Sequence, residues 1–136
     1  MHMEATAKAR FLRTSGRKAR IVADLVRGKK VDEAISLLNF VPKKAAEPIK
    51  KVVKSAAANA ISEVGTGRLK AEDLTITTIY VDNGPGYRRF RAASMGRAMP
   101  LKHRLCHITV VVSGEAREER QRRKTKTTTK EAKAEE

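Results

Sequence analysis

The chain has no tryptophan, only two tyrosines and three phenylalanines, and a single cysteine. A core with so few rings must be built mostly from Ala, Val, Ile and Leu, and must be small. One cysteine excludes an internal disulfide, which fits a reducing compartment. No long uninterrupted apolar run occurs, so no membrane-spanning helix is expected. The first residues reach Glu4 and Lys8 without an apolar stretch, so no signal peptide is expected either. The chain reads as a cytoplasmic protein with no membrane partner. Acids are scarce too: 15 Asp and Glu stand against 30 Lys and Arg in 136 residues, a formal net charge of +15 and a pI near 10.5. That imbalance points to a polyanionic partner, nucleic acid before an anionic membrane surface. The length suits one domain with a tail.

Signs of catalysis are missing as well. The acids are mostly single, and the adjacent pairs Asp32-Glu33 and Glu72-Asp73 read as a helix start and a loop. No Ser, His and carboxylate set follows from spacing, so no enzyme is expected. His103, Cys106 and His107 look at first like metal-ligand spacing, but on an extended strand Cys106 points away from both histidines. The only other histidine is His2, so a closed four-ligand site is hard to assemble. Neither a metal nor a cofactor is expected. Gly84-Pro85-Gly86 lacks the Gly-Lys-Ser/Thr ending of a phosphate loop and does not precede a helix. It reads as a kink or bulge.

What is present is patterning. Residues 5–12 alternate, predicting a first strand with Ala5, Ala7, Ala9 and Phe11 inward and Lys8 and Arg10 outward. Thr14 and Ser15 offer an N-cap for a helix running to about Arg27 and ended by Gly28, with Ala19, Val22, Ala23 and Val26 inward. A second, short helix near 32–40 would bury Ala34, Leu37, Leu38 and Val41 before Pro42 stops it. The third helix is the clearest. Ile49, Val52, Val53, Ala56, Ala57, Ala60, Ile61 and Val64 keep helical spacing for four turns, from Ala46 or Glu47 to Gly65 and Gly67.

Two strands follow, Thr75–Val81 and Cys106–Val112, both rich in β-branched residues. The connection between them is far longer than a hairpin loop needs. From Asn83 to Arg104 it holds Arg88, Arg89, Arg91, Arg97, Lys102, Arg104 and His103, and no acid. The expected form is a hairpin, 82–105, whose strands run on beyond the body as a basic arm with Gly96 near its tip. Tyr87, Phe90, Met95, Met99 and Leu101 are interleaved with the cations. Such groups suit base stacking better than water. Five of the six cations are arginines, which favours phosphate forks and guanidinium stacking. The fold class is therefore α+β: one strand, three helices and two strands, with the helices on a small antiparallel sheet that carries a long protruding basic hairpin. Residues 1–114 form a single domain, and 115–136, composed of Glu, Lys, Arg, Thr and Ala, read as a disordered charged tail.

These stretches carry a resemblance. Thr14-Ser15-Gly16-Arg17-Lys18-Ala19-Arg20, Asp24 to Lys29, Ser55 to Ala60, Tyr80 to Pro85, Arg88-Arg89-Phe90-Arg91, Gly96-Arg97-Ala98 and His107 to Val112 stand in the order and spacing of the large-subunit ribosomal protein twenty-two family, over about residues 4–114. The resemblance implies a body on the outer face of the large subunit and a hairpin reaching into the peptide exit tunnel. It implies large-subunit rRNA, neighbouring ribosomal proteins and the nascent peptide as partners. The segment Ala92, Ala93, Ser94, Met95 and Gly96 would be the tip of that tunnel hairpin. Gly16 departs from the family, which usually has Pro there. So do Ala92 to Met95, where a Pro- and Arg-rich segment is common, Leu105-Cys106, where Thr-Ser is usual, and His103, where Lys is common.

Candidate rRNA contacts are Arg13, Arg17, Lys18, Arg20, Lys29 and Lys30 on the body, around the first helix and its exit. On the arm they are Tyr87, Arg88, Arg89, Phe90, Arg91, Arg97, Lys102, His103 and Arg104. The rival reading is an architectural DNA-binding protein that clasps the minor groove with basic β-arms. Such proteins normally work as dimers. Here the third helix has one narrow apolar stripe, enough for its own domain, so the free protein is expected to be a monomer.

Overall fold

A computed structural model describes residues 2–65 and 69–115. Strand β1 spans His2–Leu12, helix α1 Gly16–Val26, α2 Val31–Phe40 and α3 Ala46–Val64, followed by strands β2, Leu74–Ala92, and β3, Ala98–Glu115. The strands form one antiparallel sheet in the order β1-β3-β2. Alternation along β3 sets its faces: Cys106, Ile108, Val110 and Val112 are buried under the helices, while His107, Thr109, Val111 and Ser113 are only half-buried on the other side. This is the expected α+β arrangement. The tail expected at 115–136 lies outside the described residues from 116 onward.

The helices form where apolar spacing and terminal residues call for them. In α1 the side chains of Ala19, Val22, Ala23 and Val26 are buried, and Gly28 follows with φ +73°, a left-handed position that favours glycine. Helix α3 buries Ile49, Val52, Val53, Ala56, Ala57 and Ala60, with Pro48 tolerated in its first turn. Its small residues let it approach both β1 and α2 closely. Helix α2 is a correction. It buries Val31, Ala34 and Leu38, whereas Leu37 is 39% exposed. The short helix rests on one narrow line, so Leu37 and the adjacent Phe40 fall outside it, and Val41 is only half-buried.

The first strand also differs from expectation. Ala5 and Ala7 are buried, but Phe11 is 58% exposed. The register slips between Ala9↔Ile108 and Leu12↔Cys106, and Phe11 takes φ +57° inside that bulge. For a bulky residue this left-handed backbone costs about 1–2 kcal/mol. The bulge breaks the period of two and turns the ring out of the core. There it meets His107 edge-on, with centroids 4.9 Å apart, while the Phe11 N–H donates to His107 Nδ1 at 3.0 Å.

Strand β1 stops pairing at Leu12↔Cys106, so beyond that point the sheet has only two strands. A register shift between Asn83 and Gly86 marks the departure, where the Gly-Pro-Gly kink is expected. Pairing then continues without interruption from Gly86↔Arg104 to Ala92↔Ala98, roughly 20 Å of ribbon at a strand's usual rise. The ribbon closes through an Ala93 N–H bond to the Arg97 carbonyl over a short turn at Ser94–Gly96.

Candidate nucleic-acid interface

Three segments distant in sequence meet at the root of the arm. The β1–α1 turn and first turn of α1 bring Arg13, Thr14, Ser15, Arg17 and Lys18. The α2–α3 link brings Lys44, and β3 brings Lys102, His103, Arg104 and Leu105. Together they line a concave cleft of about 680 Å³ that contains six Lys or Arg side chains, one histidine and no carboxylate. The first turn of α1 holds no acid, and Ser15 makes no side-chain cap bond. Its N-terminal N–H groups and their partial positive charge therefore add to the field of the cations. Such a cleft favours a multiply charged anion.

The arm continues this surface. Partners across the ribbon share a face, so Arg88, Lys102, Phe90 and Pro100 lie on one side. Tyr87, His103, Arg89, Leu101, Arg91 and Met99 lie on the other. Each face thus mixes cations with an aromatic ring. Arg88 stands directly opposite Lys102, a like-charge pair that destabilises an isolated ribbon. The Arg89 guanidinium lies 5.9 Å from the centroid of the Tyr87 ring and donates to the Arg88 carbonyl at 2.8 Å. Phe90 is 82% and Met95 91% exposed. At the tip, Met95 and Gly96 both have positive φ, beside Ala92, Ala93, Ser94 and Arg97.

Of the expected body contacts, Arg13, Arg17 and Lys18 enter the cleft, together with Lys102, His103 and Arg104 from the arm. Arg20 lies elsewhere, with its Nε and Nη2 donating to the Val81 carbonyl at 3.1 and 2.9 Å. Lys29 and Lys30 are exposed at the α1–α2 link, where the Lys29 carbonyl accepts from the Ile76 N–H and Lys30 bridges Thr75. Lys44 is a cleft residue the sequence reading did not single out. The signal was there, since Lys43-Lys44 directly follows the helix-stopping Pro42. Cys106 is fully buried, and burial pushes its thiol above the ordinary value against a smaller lowering by Arg20. Among the described residues no group of three or more His, Cys, Asp or Glu could hold a metal ion, and no helix is long and apolar enough to cross a membrane.

The family model described as Ribosomal protein L22p/L17e matches residues 7–113. The chain is 52% identical over 111 residues to the "Large ribosomal subunit protein uL22" of Desulforamulus reducens, a match covering 82% of this chain and 96% of that protein. Proteins of the same name from Pelotomaculum thermopropionicum and Myxococcus xanthus are 49% and 46% identical over the same length and with the same coverage.

Proposed function

Because the chain belongs to the Ribosomal protein L22p/L17e family, we propose that it binds large-subunit rRNA through the basic cleft and the arm, and that the hairpin 82–105 lines the nascent-peptide exit tunnel. The coarser role follows from the family: the protein is a structural, non-enzymatic component of the large ribosomal subunit, and so cytoplasmic, with ribosomal RNA and ribosomal proteins as its surroundings. The observation that carries the finer reading is the acid-free cleft at the arm's root, assembled from three segments and extended by a ribbon with a like-charge pair across it. A two-stranded ribbon is marginal in water. Phosphates threading its arginines would stabilise it and release counterions, supplying affinity without sequence choice. Ring and guanidinium contacts from Tyr87, Phe90 and Arg89 would then select one folded RNA surface.

In this reading Arg13, Arg17, Lys18, Lys44, Lys102, His103 and Arg104 hold the RNA backbone at the cleft. Arg88, Arg91 and Arg97 follow it along the arm, while Arg20, Lys29 and Lys30 contribute at the margin. The tip, Ala92 to Gly96, would face the nascent peptide. By gripping RNA at both body and arm, the protein would help separate rRNA segments fold together. The apolar stripe of α3 is taken up by the protein's own core, which supports a monomer in the free state. Family membership favours rRNA over the DNA-clasping alternative.

The test is co-sedimentation with large ribosomal subunits across a salt series, together with affinity for a large-subunit rRNA fragment. Log affinity should fall against log salt with a slope of several units. A nearly flat response would rule out the electrostatic mechanism.

A further inference from the structure

We propose that the open face of the sheet is a second RNA-binding surface, a stacking platform for unpaired nucleotides centred on Phe11 and Tyr80. The proposal rests on the reading of this chain as an rRNA-binding protein and deepens it. The helices cover only one side of the sheet. On the other side the register sets out rows of side chains. Asp82 lies beside His107, which Phe11 meets edge-on, and the next row runs Lys8, Thr109, Tyr80. Tyr80 is 53% and Phe11 58% exposed.

The Phe11 ring is on this side because of the bulge. The period of two would have placed it in the core with Ala5 and Ala7. Instead a positive φ turns it outward, and two contacts with His107 fix it there, the edge-on ring contact and the N–H bond to Nδ1. An unfavourable backbone that exposes an oriented ring is the kind of local outlier that marks a binding position. The two rings stand on the outer strands β1 and β2, on either side of β3, and rings displayed on an open sheet are how RNA-recognition sheets stack splayed bases.

Charge selects the occupant. Lys8 and Arg10 are exposed beside the rings, and Arg13, two residues beyond Phe11, lines the basic cleft. A strand leaving the cleft past Arg13 would meet the Phe11 ring next. Among the described side chains the face holds two acids. Glu4 lies two rows beyond Lys8, and Asp82 lies beside His107, where a carboxylate can accept from the amino group of a base.

The test uses the full chain with a 12-nucleotide oligocytidylate carrying 5-iodocytidine, and a paired RNA duplex of the same length. Irradiated wild-type protein should crosslink at Phe11 or Tyr80. Phe11→Gly suits the positive φ and removes only the ring, and Tyr80→Thr keeps a strand-forming residue. Each should weaken single-strand binding about tenfold at every salt concentration, leaving the salt slope and the duplex affinity unchanged. The cleft variant Arg17→Ala/Lys18→Ala should weaken both ligands and lower the slope by about two. Crosslinks confined to Tyr87 and Phe90, or ring variants that leave the single strand unaffected while the cleft variant weakens it, would overturn the platform and leave the rRNA reading standing. Equal losses on strand and duplex would also overturn it. If the cleft variant changed nothing either, the rRNA reading itself would fall.

Discussion

Arg20 on α1 holds the Val81 carbonyl on β2 with two guanidinium nitrogens, Nε at 3.1 Å and Nη2 at 2.9 Å. Val81 is the last buried residue of β2 before the kink that begins the arm. Strand β2 is an edge strand, and edge carbonyls invite pairing with another chain. Seven residues on, at the C-cap of α1, Arg27 donates to the Ile79 carbonyl at 3.3 Å while pairing with Asp24 at 3.0 Å. The Gly28 N–H and Lys29 carbonyl then take both backbone groups of Ile76. Helix α1 and its exit therefore run along the edge of the sheet as a cover, from the root of the arm to Ile76. On the opposite edge Asn59 donates to the Thr6 carbonyl at 3.1 Å.

Arg20→Ala should therefore act on stability more than on RNA. Loss of the paired bonds at a partly buried carbonyl costs about 1–2 kcal/mol, a fall in melting temperature of about 5–10 °C for a domain of this size. Arg20→Lys, with one compact ammonium, should recover part of it. The salt slope of RNA binding should drop less for Arg20→Ala than for Arg17→Ala. Equal slopes with unchanged melting would make Arg20 an RNA ligand and no clamp.

Cys106 gives a pH prediction. Its thiol is fully buried, and desolvation raises its pKa above 9.0 despite the smaller pull of Arg20. Above pH 9 the unfolded chain loses this proton while the folded protein keeps it, so stability falls as pH rises through that window. Cys106→Ser should remove this part of the alkaline slope in chemical denaturation. In the wild type a thiol reagent should react slowly at pH 8 until denaturant opens the core. Rapid labelling of the native protein would contradict the packing described.

Two glycines with similar crowding should respond differently. A Cβ on Gly16 would lie 2.5 Å from Asn83 Oδ1, and one on Gly114 would lie 2.7 Å from Leu74 Cδ2. Asn83 is exposed and can swing into solvent, whereas Leu74 is 1% exposed and has no room. Gly16→Ala should change stability by less than about 0.5 kcal/mol. Gly114→Ala should cost about 1–3 kcal/mol by overpacking. Equilibrium urea unfolding of the two variants measures both.

How much of this was legible in the sequence follows from which interactions are local. Helix α3 could be read because eight apolar positions repeat with one period and a glycine ends it. The arm could be read because a run of cations without acids cannot form a core. Phe11 could not, since alternation predicts an inward ring and only tertiary pairing with β3 reveals the bulge that reverses it. Leu37 matched a helical stripe, yet how wide a stripe is buried depends on the neighbouring helix. Arg20 and Arg17 are indistinguishable in sequence, three residues apart on one basic helix, and only the position of the β2 edge separates clamp from cleft. The cleft itself joins residues 13, 44 and 104, which no spacing rule connects.

Excising the tip separates body from arm. Residues Ala92 to Arg97 contain one cation, Arg97, and no buried residue. The ribbon would still pair from Gly86↔Arg104 to Phe90↔Pro100 across a loop of Arg91, Ala98 and Met99, and the shorter loop closes at slightly lower entropic cost. None of the core cluster is touched, because its last member on β2 is Val81 and its first on β3 is Cys106. The melting temperature of the free protein should stay within about 2 °C of the wild type. Affinity for an rRNA fragment should fall modestly, with the salt slope reduced by about one for the lost arginine. On assembled subunits, chemical footprints under the tip should vanish while those under Arg17 and Lys18 persist. A variant that fails to fold would place the tip in the core, and loss of the Arg17 and Lys18 footprints would mean that the cleft cannot hold RNA without the arm.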